Sequence, residues 1–192
     1  MSFVKRLIGQ AGRLPTQRES EEAASLDKRG AELFLRGDLL EAEKLFLRAI
    51  QLNPGLATAH GNLGHVFQTR AMFRTAIDWL EKARSLDPQI EGIPEALDFC
   101  RKAARQKDRQ PGPDEITRLR ESGITFTRKY TETRPGAGGI GPVEFTYEKY
   151  EASSAQRAVE FLKRLDPVTQ NYYYIEVKTP EGWAGRDIDG TY

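Results

Sequence analysis

Cysteine and histidine are almost missing from this chain. Its 192 residues hold one cysteine, Cys100, and two histidines, His60 and His65. A single cysteine excludes an internal disulfide and fits a reducing compartment. The histidines stand five apart, so they do not share a helix face, and neither has a neighbouring cysteine. No metal-ligand spacing exists, and no metal or other cofactor is expected. Net charge is nearly absent too: 29 Lys/Arg stand against 28 Asp/Glu. That removes any global pull toward nucleic acid or an anionic membrane. No apolar run approaches the ~18–20 residues of a membrane span. The opening Met1–Gln10 carries Lys5 and Arg6, but its apolar stretch is too short for a secretory signal. A cytoplasmic protein without membrane or nucleic-acid partners is expected.

Catalytic patterns are missing as well. No Ser/His/Asp or Cys/His set falls on adjacent elements. The run Gly136-Ala137-Gly138-Gly139-Ile140-Gly141 lacks the Lys-Ser/Thr pair and following helix of a phosphate loop. It reads as a mobile hairpin connection. Asp187-Ile188-Asp189-Gly190 lacks the further carboxylates of a calcium loop. No catalytic residue is assigned, and an enzyme is not the leading expectation.

What the chain does contain is one 34-residue unit written twice between Ala23 and Ile90. Gly30 maps onto Gly64, Ala42 onto Ala76, Ala49 onto Ala83 and Leu52 onto Leu86. Asn53-Pro54 maps onto Asp87-Pro88, and Phe46 onto Leu80. Apolar residues at three- and four-residue steps predict helices over about 24–36, 39–52, 57–69 and 73–86. Turns fall at Gly37-Asp38 and Arg70-Ala71, and prolines stop each unit. Gly30 and Ala42 let the paired helices approach closely, with Phe46 filling the space beside them.

A fixed period of this length marks a repeat architecture, and this pattern resembles the tetratricopeptide repeat (TPR) family. The resemblance covers residues 23–90. The stripe Ala96, Leu97, Cys100, Ala103 and Ala104 extends it to about 107, as a helix that caps such an array. Arg101, Lys102, Arg105 and Lys107 on its other side read as a solvated cap face. Cys100 reads as a buried core residue.

Beyond Gln110-Pro111-Gly112-Pro113 the periodicity changes to two. Ile124–Tyr130 reads as a strand. Val143, Phe145 and Tyr147 form the buried side of a second, and a helix buries Ala158, Val159, Phe161, Leu162 and Leu165. Tyr173, Ile175 and Val177 line a third strand, and Trp183–Tyr192 supplies a short fourth. The expected fold is thus α followed by α+β: two helical hairpins with a capping helix, then a small ββαββ domain. The expected divisions are a tail at 1–20, repeats with cap at 21–107, a linker at 108–116, and the α+β domain at 117–192.

The resemblance implies a protein-interaction adaptor whose first helices line a concave, partner-binding face. Matched residue by residue, that face carries Asp27, Ala31 and Phe34 from the first copy. Thr58, Asn62, His65, Gln68 and Thr69 come from the second. Some family members grip a partner's terminal carboxylate with Lys, Asn and Arg. Here Asn62 matches, but Asp27 and Ala31 replace basic and amide residues, and Asp27 repels a carboxylate. His60 reads as packing between helices. Tyr172, Tyr174 and Arg186 are candidates for a second contact surface, since tyrosine is favoured at interfaces. A ligand-binding or enzymatic C-terminal domain regulated by the repeats is the alternative. Two repeats also leave end surfaces able to pair between chains, as a homo-oligomer.

Overall fold

The computed structural model describes residues 14–164 and 173–186, for 183–186 the backbone alone. Tyr172, the Arg186 side chain, the Asp187–Gly190 motif and the first 13 residues lie outside that description. The chain divides into two compact units. One comprises residues up to Ala104 together with Pro135–Val143; the other comprises Arg105–Arg134 and Glu144 onward.

The first unit is built from helices α1 (Gln17–Leu35), α2 (Leu39–Leu52), α3 (Ala57–Thr69) and α4 (Phe73–Leu86). Helix α5 (Ile93–Asp108) begins here and ends in the second unit. The expected bounds of α2, α3 and α4 hold. Helix α1 starts at Gln17, well before the expected position and inside the supposed tail. Its first turn has almost no apolar residues, so periodicity misses it. The signal is a capping box: the Glu19 amide donates to Thr16 Oγ1 at 3.2 Å, and the Thr16 amide donates to the Glu19 carboxylate at 2.8 Å.

The 34-residue shift is structural as well as sequential. The Asp38 amide donates to Leu33 O, and the Met72 amide to Phe67 O. Gly37 has φ +87° and its counterpart Ala71 has φ +56°. The Asn53 side chain accepts from the Gly55 amide at 3.0 Å, and the Asp87 side chain from the Gln89 amide at 2.9 Å. Close helix approach repeats too. A Cβ on Gly30 would lie 2.6 Å from the Phe46 ring, and one on Gly64 2.7 Å from Leu80. Buried residues from both hairpins, Ala23, Phe46, Leu63 and Trp79 among them, share one core cluster.

Ala71 is the one non-glycine residue with positive φ among those described. A left-handed backbone brings an L-residue's Cβ against the carbonyl, at about 1–2 kcal/mol. Ala71→Gly is therefore expected to raise stability slightly, by about 0.5–1 kcal/mol after the added chain entropy of glycine. A urea midpoint that falls would show that the buried Ala71 methyl matters more than the strain.

In the second unit, α6 (Pro113–Glu121) begins inside the expected linker and takes up its last four residues. Pro113 is its first residue and Asp114 and Glu115 lie in its first turn, which suits a helix start. Strands β1 (Ile124–Pro135), β2 (Pro142–Ala152), β3 (Tyr173–Thr179) and β4 (Gly182–Arg186) form one sheet in that order. Helix α7 (Ala155–Arg164) connects β2 to β3, which pair in parallel, while β3 and β4 are antiparallel. Thus an α-helical part is followed by an α+β part.

Packing on the α7 side uses Ile124, Phe126, Tyr150, Tyr173, Ile175 and Val177 with Ala158, Phe161 and Leu162. On β2 this covered face is the Thr146–Glu148–Tyr150 side. Val143, Phe145 and Tyr147 point to the opposite face, so the sheet is not simply buried on one side. Phe126 and Lys129 share the α7 face although they are three apart. Phe126 contacts Tyr150, and Lys129 binds Glu148. An odd spacing on one face requires an extra residue, and the consecutive exposed pair Thr127–Arg128 supplies this β-bulge.

Candidate functional site

Helices α1 and α3 bring the expected contact residues together in part. Asp27 on α1 accepts from Thr58 Oγ1 at 2.7 Å through one carboxylate oxygen and from Asn62 Nδ2 at 2.9 Å through the other. Both oxygens are thus engaged by the second repeat. Asp27 is a half-buried tie between hairpins as well as a surface charge. One turn on, His65 Nδ1 lies 3.3 Å from Gln68 Oε1, and Thr69 Oγ1 donates to His65 O at 3.0 Å. These are contacts within α3, so His65 and Gln68 remain half-exposed. Phe34 and Ala31 pack against the core cluster. Their contribution is structural support, with only part of the ring available to a partner.

His60 is buried, donates from Nε2 to Pro54 O at 3.0 Å, and lies 5.6 Å from the Trp79 ring. Burial holds its pKa below the ordinary imidazole value, opposed by the Pro54 hydrogen bond. Cys100 is fully buried, and burial pushes its thiol up to about 11, so little thiolate exists near neutrality. Lys107 departs from the solvated cap face expected of it. It is buried, binds Glu144 at 3.2 Å, and has a pKa lowered chiefly by burial.

A feature that sequence reading did not find lies at the C-terminal end of α3. Arg70 is 1 % exposed. Its Nη1 donates to Glu43 on α2 at 2.6 Å, and its Nε donates to Ile140 O at 2.5 Å. Its Nη2 is buried with no protein acceptor. Ile140 belongs to the glycine-rich β1–β2 connection, in a short 3-10 turn, Gly138–Ile140. Its side chain packs on the core cluster of the helices. The supposed mobile connection is therefore a docked one. Three glycines meet separate demands. A Cβ on Gly139 would lie 3.1 Å from Asp38, one on Gly141 2.9 Å from the Arg70 guanidinium, and one on Gly136 2.5 Å from Gly141 O.

The second candidate surface is the sheet face turned away from α7. Tyr130, Tyr147 and Tyr174 stand side by side across β1, β2 and β3. Their ring centroids are 5.1 and 5.3 Å apart, with planes within 18°. Phe145 stacks on Tyr174 at 5.8 Å. Arg128 lies over Tyr130 at 4.8 Å, and Arg134 over Tyr147 at 5.3 Å. Adjacent strands lie about 4.8 Å apart, so rings spaced this way are stacked on one another. Their faces are consumed internally, and none lies flat for a nucleobase. Tyr174 is half-buried, its ring between Tyr147 and Phe145.

On the α7 side the sheet holds a closed polar cluster. Lys129 Nζ donates to Glu148 Oε1 at 2.8 Å, to Tyr173 Oη at 2.6 Å and to Gln106 O at 2.8 Å. Tyr173 and Tyr150 hydroxyls both donate to Glu148. Burial, with Glu148 beside them, raises both tyrosine pKa values above the ordinary range. All three ammonium protons of Lys129 are used, so the cluster offers no spare proton donor at that group. Among the described residues, no group of three metal-ligating side chains converges. No helix among them is long and apolar enough to cross a membrane.

No protein-family model matches the chain, and no curated protein matches it.

Proposed function

We propose that residues 23–90 are a TPR-like protein-interaction module, binding a peptide or helix of a partner on the α1/α3 face. The sheet-bearing unit serves as a second contact module. What supports this reading is the repeat itself. Turn hydrogen bonds, positive-φ residues and glycine contacts recur at the same 34-residue shift in both hairpins. Small-residue helical hairpins of this kind expose one helix of each pair along a common face, the arrangement that repeat proteins use for extended binding. On that face Asn62, His65 and Gln68 are polar and half-exposed, and Thr58 and Thr69 are exposed.

Asn62 and His65 carry the specificity in this proposal. Asn62→Ala/His65→Ala is expected to lose a subset of the proteins captured by the wild-type chain while its helical content stays unchanged. Quantitative affinity capture, checked by circular dichroism, reads this directly. An identical captured set from both proteins would remove the α1/α3 face as the binding site.

A further inference from the structure

The docked tip has the properties of an internal ligand. Residues 136–141 include four glycines and one large side chain, Ile140. Pro135–Val143 groups with the helices, while Arg134 and Glu144 on either side group with the other unit. The tip meets the helical unit through the Ile140 side chain against the core, Ile140 O on Arg70 Nε, and the close backbone approaches of Gly139 to Asp38 and Gly141 to Arg70. Ordering a glycine-rich segment is entropically unfavourable, and that cost offsets part of what these contacts contribute.

The receptor side is better built than its occupant. Arg70 is fixed by Glu43 and is almost fully buried. The Nε and Nη2 donors lie along one edge of a guanidinium and can serve two acceptors, yet only Nε is used. Glu43 already balances the Arg70 charge, and a second carboxylate there would face it across a low-dielectric site. The edge therefore selects a neutral acceptor. Backbone carbonyls beside a branched aliphatic side chain supply it, and small flanking residues let the backbone approach Asp38 as Gly139 does.

We propose that the Ile140 seat beside the Arg70–Glu43 pair is a peptide-binding site held shut by the chain's own Ile140 tip. Its external ligand is an uncharged partner segment with a branched aliphatic residue between small residues. The segment displaces the tip, sets its aliphatic side chain in the Ile140 seat and presents carbonyls to Nε and Nη2. This site is separate from the Asn62/His65 face.

The probe is a fluorescent peptide with the sequence of residues 138–142, Gly-Gly-Ile-Gly-Pro, blocked at both ends. It is titrated into the full chain and into Ile140→Gly, which removes the aliphatic side chain from the core and leaves Arg70 and Glu43 unchanged. The variant is expected to bind at least about tenfold more tightly than wild type, since the competent fraction rises when the tip is released. Peptides with aspartate or glycine in place of isoleucine should not bind. Equal affinity for the two proteins, or no binding to a folded Ile140→Gly, overturns the proposal. Amide exchange of the wild-type chain tests it without a variant. The Gly136 amide, bonded to Gly141 O, should exchange orders of magnitude faster than the core amide of Ala49. Equal protection means the tip does not open, which also overturns it. Asn62→Ala should leave the probe's affinity unchanged, so failure here and failure of the α1/α3 face are read separately.

Discussion

Lys129→Met is expected to lower the stability of the sheet-bearing unit by about 3–5 kcal/mol, the range for removing one partner of a buried ion pair. The Lys129 side chain is 3 % exposed and that of Glu148 14 %. Methionine keeps most of the stem volume and deletes the ammonium, so the loss is electrostatic more than steric. Glu148 then keeps its two tyrosine donors but loses the Lys129 counter-charge, and the Lys129 bond to Gln106 O is lost as well. Adding Glu148→Gln to Lys129→Met should recover a large part of the loss, because the uncompensated charge disappears. Urea unfolding of the two variants and of Glu148→Gln alone completes the cycle. A cost under about 1 kcal/mol for Lys129→Met would mean the cluster behaves like a surface pair.

Gly64→Val is expected to destabilise the helical unit by about 2–3 kcal/mol, the upper range for overpacking a closed core. The first added carbon would lie 2.7 Å from Leu80 side-chain atoms and 3.3 Å from the Leu80 backbone nitrogen. Leu80 is fully buried, so its side chain has little room to retreat, and its backbone belongs to α4. The improved helix propensity of valine over glycine returns only a few tenths of a kcal/mol. The melting temperature should fall by roughly 10 °C for a unit of this size. An unchanged melting temperature would show that α3 and α4 separate at no cost.

The elements that were legible in the sequence are those whose signals are local. Helices α2, α3 and α4 are marked off by Pro54, Pro88 and the turns at Gly37-Asp38 and Arg70-Ala71, and filled by apolar and small residues at helical steps, so their limits follow from the chain alone. Helix α6 was hidden because its opening Pro113 follows Pro111-Gly112, which reads as linker punctuation. The same proline marks a helix start once Asp114 and Glu115 are counted. The bulge at Thr127–Arg128 was invisible because pairing register is a property of two strands. For the candidate face, the family resemblance put Asp27, Thr58 and Asn62 on one surface, and Thr58 and Asn62 both hydrogen-bond to Asp27. The resemblance could not show that they satisfy one another. Arg70 and Ile140 are 70 positions apart, and neither has a periodic signature. The one hint was a lone isoleucine inside a run of glycines.

The assignment of Pro135–Val143 to the helical unit means that the chain passes between its two units three times. During synthesis the four repeat helices leave the ribosome long before Ile140 does. For that interval neither the Ile140 side chain nor its carbonyl is there to meet the core and Arg70. The helical unit therefore reaches its final form only after β1 has been made. No single cut between residues 104 and 105 yields both units whole. A fragment ending there would carry the four helices without the Ile140 side chain on their core and without Ile140 O on Arg70.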